Sequence, residues 1–380
     1  MTVRQGEGAA GYPPIIVLFG GPSAEHDVSI VSGTAIAEAL MDAGLDVTQV
    51  VIDLVNAWWW LPYGDRRGDR SPADYDDPAT LGASGPATLG QALDLLSVPD
   101  PGEQPVVFIA LHGPFGEDGT VQAVLESIGI AYTGAGVLGS ALGMDKVLQK
   151  RVWRGLGLPV IDWMEVRSAA WTASPATVLA QLEAFAGGDE QRLMVKPARL
   201  GSSVGMTLAH TADERPAALD LAFRYDDLAI VERYLEHARD LEVSVIGSEP
   251  ITAYGPGEIV AGHEFYDYAA KYTPGLSETS THAELPDVTR ELMKKLARDA
   301  YRALGTEGFA RVDFLVRDEE IYLSEINTIP GFTPISLFPT MPAEAGLDFT
   351  AVCLRILDLA IARHAARAAR PGITPADLPR

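Results

Sequence analysis

The chain has 380 residues, 47% of them hydrophobic and 21% charged, with a formal net charge of −23. That length exceeds one ordinary core and calls for two or three domains, and the negative charge disfavours a nucleic-acid backbone or an anionic membrane as partner. The one cysteine, Cys353, excludes an intrachain disulfide and a cysteine-based zinc site and fits a reducing, cytoplasmic setting.

The opening MTVRQGEGAAGYPP lacks the apolar core of a signal peptide and reads as a loose leader. No later apolar run approaches the roughly 18 residues of a membrane span. IIVLFG at 15–20 reads as a strand, followed by the polar loop PSAEHD and a helical stretch, VSIVSGTAIAEALMDAG. VTQVVID at 47–53 and VVFIAL at 106–111 read as further strands, the second leading into HGPFGEDG and a helix near TVQAVLESIG. Apolar strands alternating with helices predict a parallel sheet covered on both faces. Between 63 and 104 the chain is rich in Pro, Gly and Asp and reads as an excursion with one helix at ATLGQALDLLS. From about 146 the pattern changes. The strand candidates WMEV, RLMVK, AIVERYL and LEVSVIG alternate with helices near PATVLAQLEAFA and RPAALDLAFRY, which predicts α+β layers with an antiparallel sheet. After 283 come a long helix, DVTRELMKKLARDAYRALG, a hairpin formed by FARVDFLVRD and EEIYLSEIN, and a last helix over 346–367.

Several stretches carry chemistry. VKPARLGSSVGM sets a lysine beside small hydroxyl-bearing residues. Such a loop is either a hairpin turn or a phosphate cradle whose N–H groups and hydroxyls donate to anionic oxygens. The lysine precedes the glycines, so this is not the G-x-x-x-x-G-K-[ST] loop. On the predicted hairpin, residues two apart share a face, so Arg311 pairs in direction with Asp313, and Glu325 with Asn327. Two carboxylates and an amide oxygen suit Mg²⁺, and equally suit an exposed sheet face with a cross-strand ion pair. HGPFGEDG lies past the carboxyl end of a predicted parallel strand, where open α/β sheets place ligands. It offers His112, Glu117 and Asp118, or simply a tight turn with a capping acid. GGPSAEHDVS has the same placement without the G-x-G-x-x-G spacing, and there Glu25 or Asp27 caps a helix, or Glu25 holds an ammonium group. MDK at 144–146 by itself reads as a solvated surface lysine, and FYDYAAKY at 265–272 as a lid or a small apolar cluster.

Taken in order, LFGGPSAEHDVSIVSG, LHGPFGEDGTVQ, GAGVLGSALGMDK, VKPARLGSSVGM, FYDYAAKY, ARVDFLV and SEINTIPGFTPISLFP resemble the D-alanine–D-alanine ligases of the ATP-grasp superfamily over about residues 15 to 365. The resemblance implies an α/β and α+β multidomain chain, with a Rossmann-like domain at 15–143, a central ATP-grasp domain at 144–235 and a C-terminal ATP-grasp domain at 236–368. Residues 1–14 and 369–380 would be a flexible leader and a tail. It implies ATP-dependent joining of two D-alanines through an acyl phosphate, for cell-wall precursor synthesis. D-Alanine and ATP are the implied partners, with two Mg²⁺ ions (or Mn²⁺) and a cytoplasmic homodimer. By the same resemblance, Lys146, Lys196, Ser203 and the lid residue Lys271 would hold phosphates under the loop 201–205, with Glu232 near the adenine and Asp240 (or Glu242) on the ribose. Asp313, Glu325 and Asn327 would hold the metal ions, while Arg311 and the Gly331 N–H stabilise oxyanion charge. Glu25 would orient the first D-alanine with His112 nearby, linked to Ser202 and Tyr272, and Ser336 and Leu337 would place the second.

The chain departs from the family pattern at Asp240, where glutamate is usual, at Leu200, where acidic or small residues are common, and at His282, in place of a proline. A ligase of the same fold using D-lactate or D-serine second is the alternative, and the Lys271–Tyr272 pair of the lid favours the dipeptide.

Overall fold

The computed structural model describes residues 11–97, 104–188, 191–261 and 277–370. The first sheet contains β1 (Ile15–Gly20), β2 (Val47–Ile52), β3 (Trp58–Trp60), β4 (Ser84–Ala87), β5 (Val106–Ile109) and β6 (Ala131–Tyr132), in the order β4-β3-β2-β1-β5-β6. The β2-β1-β5-β6 run is parallel, as the continuous apolar strands predict, and β3 and β4 extend it antiparallel. Alternate residues of β1 serve opposite cores. Ile15, Val17 and Phe19 pack with helix His26–Asp42, and Ile16 and Leu18 pack with helices Leu89–Leu96 and Thr120–Ser127. The excursion is therefore more structured than its composition suggests, since two strands flank its turns and one helix covers the sheet. Neither strand stands out in the sequence, because WWW is only three residues long and β4 contains proline.

The second sheet contains β7 (Trp163–Arg167), β8 (Leu193–Pro197), β9 (Thr207–Ala209) and β10 (Leu228–Arg233), in the antiparallel order β7-β10-β8-β9. Helices Pro175–Ala186 and Arg215–Ala222 cover one of its faces through Val178, Leu182 and Leu219. The third sheet contains β11 (Arg239–Ile246), β12 (Thr252–Ala261), β13 (Ser277–Ser280), β14 (Phe309–Arg317) and β15 (Glu320–Asn327), in the order β13-β12-β11-β14-β15. By pattern alone LEVSVIG runs on from the strands before it, while the family resemblance counts it in the C-terminal domain; it lies in this third sheet, between β12 and β14. Helix Asp287–Ala303 covers the third sheet through Met293, Leu296, Ala297 and Ala300. The remaining faces of the two antiparallel sheets enclose a cleft of about 1090 Å³, its open mouth included. The last helix, Phe349–Ala368, turns back to the first sheet, where Val352, Cys353 and Ile356 share a core with Ile15, Val17 and Phe108.

Candidate active site

Helix Lys146–Gly155 runs beside the cleft, and its start explains the MDK stretch. Asp145 is the N-cap, its carboxylate accepting from Leu148 N at 2.9 Å. This fixes Lys146 at the first helical position and Lys150 one turn later, on the same side. Lys146 Nζ lies 3.0 Å from Glu325 Oε2 and donates to Leu200 O at 2.8 Å. Lys150 Nζ lies 2.7 Å from Glu232 Oε1, and Lys196 Nζ lies 2.8 Å from Glu232 Oε2. Burial pushes the Glu232 carboxyl up, but the two ammonium groups outweigh it and hold the carboxyl at about 2.

Opposite these lysines, strand register lines up a row of carboxylates. Glu242 on β11 faces Asp313 on β14, which faces Glu325 on β15, with Arg311 opposite Asn327. Arg311 donates Nε to Asp313 Oδ1 and Nη2 to Asp313 Oδ2, both at 2.7 Å, and its Nε lies 3.1 Å from Glu242 Oε1. Asn327 Nδ2 donates to Asp313 Oδ2 at 2.8 Å. Among the described residues no group of three or more His, Cys, Asp or Glu side chains forms a metal cage. Asp313, Glu325 and, after an amide flip, Asn327 nevertheless offer hard oxygen donors at the cleft. That incomplete set fits Mg²⁺, which keeps water and takes phosphate oxygens for its other positions.

The connection from β8 to β9 is the VKPARLGSSVGM loop, so a hairpin is indeed present, and its loop lines the cleft. Ser202 and Ser203 adopt left-handed φ values of 49° and 56°. Ser202 donates its hydroxyl to Glu25 Oε1. The Glu25 carboxylate is wedged between two glycines. A Cβ on Gly113 would come within 2.6 Å of Glu25 Oε2, and one on Gly201 within 2.7 Å. Glu25 precedes helix His26–Asp42 but makes no side-chain cap bond, so the capping explanation does not account for it. In HGPFGEDG, Asp118 takes the turn and capping bonds from Phe115 N and Thr120 N, at 2.9 Å each. Glu117 instead lies beneath His112, 3.6 Å from its Nδ1, and burial pushes its carboxyl up.

His112 is 4% exposed, with Nδ1 on Ile329 O at 2.8 Å and Nε2 on Ser32 Oγ at 3.0 Å. It therefore braces the NTIPGFTP segment against the first sheet. Ser32 Oγ also accepts from Phe332 N at 3.3 Å. Farther along, Ser336 Oγ accepts from Thr333 N at 3.1 Å and lies within reach of Gly331, where a Cβ would stand 3.6 Å away. Leu337 is buried against Ile259 and Met341, which leaves its backbone rather than its side chain for a ligand.

Two family descriptions match the chain, "D-ala D-ala ligase N-terminus" at residues 14–135 and "D-ala D-ala ligase C-terminus" at 152–358. A D-alanine–D-alanine ligase of Chlorobaculum tepidum is 38% identical over 92% of this chain and 97% of its own length. One from Deinococcus radiodurans is 38% identical over 91% of this chain and 98% of its own length. The chain belongs to the D-alanine–D-alanine ligase family. The structure of a D-alanine–D-alanine ligase from Coxiella burnetii is similar with a TM-score of 0.75 and 31% identity, covering 94% of this chain and 97% of that one. The VanG D-Ala:D-Ser ligase of Enterococcus faecalis is similar with a TM-score of 0.77 and 30% identity, covering 93% of this chain and all of that one. Both bear out the ATP-grasp architecture.

Of the residues singled out from the D-alanine–D-alanine ligase motifs, Lys146, Lys196, Ser202, Ser203, Glu232, Asp240, Arg311, Asp313 and Glu325 line one cleft. Asn327 joins it through Asp313, and Glu25 through Ser202. Gly331, Ser336 and Leu337 lie in the neighbouring segment after β15, which His112, just past β5, braces through Ile329 O. Lys271 and Tyr272, with the FYDYAAKY stretch, lie outside the described residues. Asp240 and Glu242 both border the cleft, but Glu242 is 6% exposed and committed to Arg311. Of the departures, Leu200 contributes its carbonyl to Lys146, and His282 is exposed, 3.6 Å from Glu344. Sequence reasoning missed Lys150. Its signal is a charge on an otherwise apolar stripe, since Val147, Lys150 and Trp153 recur at helical spacing and are all buried.

Proposed function

We propose that the protein joins two D-alanine molecules at the expense of ATP, releasing ADP, phosphate and D-alanyl-D-alanine for cell-wall precursor synthesis. What carries this reading is the continuity of the two sites, because the loop that borders the cation-lined cleft is also the loop that bonds Glu25. Lys146 and Lys196 attract the phosphates of ATP, with Ser203 in the loop above them, while Asp240 meets the ribose and Glu232 stands near the adenine. Asp313, Glu325 and Asn327 would hold two Mg²⁺ ions (or Mn²⁺), which when bound neutralise phosphate charge. Glu25 takes the ammonium group of the first D-alanine, and His112 keeps that region rigid. The carboxylate oxygen of this substrate forms a bond to the γ-phosphorus as the bond to ADP breaks, giving an acyl phosphate. The amine of the second D-alanine, placed by Ser336 and the backbone of Leu337, then attacks the acyl carbon and phosphate leaves. Arg311 and the Gly331 N–H offset the oxyanion charge of that step. Tyr272 and Lys271 complete the reading as lid residues.

The family likeness also supports a cytoplasmic homodimer. Among the described residues no helix is long and apolar enough to cross a membrane.

Fold likeness alone does not separate D-alanine from D-serine as second substrate, and the curated relatives favour D-alanine. The deciding experiment supplies Mg-ATP with D-alanine alone, then with D-serine or D-lactate added, and weighs the products. ADP release and a D-alanine dipeptide from D-alanine alone are expected. Release only in the mixed reactions would overturn D-alanine as second substrate, and no release in any would overturn the ligase reading.

A further inference from the structure

Lys150 is a buried cation for which the proposed mechanism has no task. Its side chain is 2% exposed, and it does not line the cleft, although Lys146, Lys196 and Glu232 do. It therefore meets no nucleotide directly. Such a lysine is rarely buried without a reason, because desolvating an ammonium is costly unless an opposite charge compensates it.

The compensating charge is Glu232, and the arrangement is asymmetric. One carboxylate oxygen meets Lys150 at 2.7 Å from behind, and the other meets Lys196 at 2.8 Å on the cleft side. Glu232 paired with Lys196 alone would be neutral, and the cleft would lose the charge that Lys196 presents. With Lys150 included, two ammonium groups share one carboxylate, and the group as a whole keeps one positive charge facing the cleft. The helix adds a geometric constraint. Lys146, four residues earlier, reaches Glu325 on the third sheet at 3.0 Å, while Lys150 reaches Glu232 on the second. One helical turn thus holds a carboxylate from each wall of the cleft.

We infer that Lys150 is a positioning residue for nucleotide binding, neutralising and orienting Glu232 from behind so that Lys196 keeps its charge for the phosphates. This rests on the reading that ATP occupies the cleft. It acts through Glu232, so its effect requires that carboxylate.

The test measures ADP affinity, the KM for ATP and the KM for D-alanine in native protein, Lys150→Met, Glu232→Gln and the double variant. Lys150→Met weakens ADP binding and raises the KM for ATP by about tenfold or more, as expected when Glu232 is left to Lys196 alone and takes up the charge that Lys196 presents to the cleft, and moves the KM for D-alanine by less than about twofold. In the Glu232→Gln background the same change alters ADP binding by less than about threefold, because the charge it compensates is gone. A lower melting temperature with native ADP affinity and native KM for ATP would make Lys150 merely structural and overturn the inference. So would a further tenfold loss in the double variant. If Lys150→Met alone does not fold, a tenfold loss between Glu232→Gln and the double variant still overturns the inference, since both bury a neutral amide at 232. Native protein that binds no ADP would overturn the nucleotide reading and this inference together, whereas ADP binding that ignores Lys150 overturns this inference alone.

Discussion

Glu232 keeps its charge inside the protein because two lysines meet it, and that has a consequence for acid stability. Its folded pKa of about 2 lies below the ordinary carboxyl value of 4.5. A depressed pKa contributes stability that is full above the unfolded value and is lost as pH falls through the folded one. The stability advantage of native protein over Glu232→Gln, read from denaturant unfolding, should therefore narrow as pH drops from about 4.5 toward about 2. A difference that stays constant across that window would mean that the carboxyl is not held by the lysines. At this scale the sequence was partly legible. The motif lysines, the hairpin carboxylates and Glu25 stand out as residue types in a pattern. Lys150 stands out less, since its one signal is a charge between Val147 and Trp153 on the buried stripe, and its partner Glu232 is 82 residues away. His112 was legible as a site residue, but not as a brace whose two ring nitrogens are both engaged.

Among the elements, the loop after β8 has little room where it passes Glu25. Gly201 lets the loop pass so close to Glu25 that a methyl group would stand 2.7 Å from the carboxylate. Gly201→Ala should displace Glu25 and raise the KM for the first D-alanine by about tenfold or more, with ADP affinity changed far less, because the lysines of the cleft sit on other elements. Steady-state kinetics beside ADP titration would check this, and an unchanged KM for D-alanine would detach Glu25 from substrate binding. Strand periodicity made β14 and β15 readable, burial alternating residue by residue along β14 from Ala310 onward. The register that sets Asp313 opposite Glu325 comes only from the pairing itself. β12 escaped notice because its Gly-Pro-Gly centre interrupts any alternation, and a register shift occurs on its partner between Glu242 and Ser244.

For the molecule as a whole, chain order and spatial order diverge. The parallel sheet was foreseeable from its apolar strands, but its covering by the last helix, Phe349–Ala368, was not, since nothing local in that helix names the surface it buries. The same long-range packing brings residue 202 to residue 25 and residue 112 to residue 329. The proposed site exists only where these segments meet, at the junction of the cleft and the first sheet. The central claim is that a substrate carboxylate at this junction is phosphorylated before the second amine attacks. D-Alanine labelled with ¹⁸O in its carboxyl group tests that directly, by mass analysis of the phosphate released with Mg-ATP. An acyl phosphate carries one labelled oxygen from the substrate into each phosphate. Phosphate without label, released alongside dipeptide, would contradict the account.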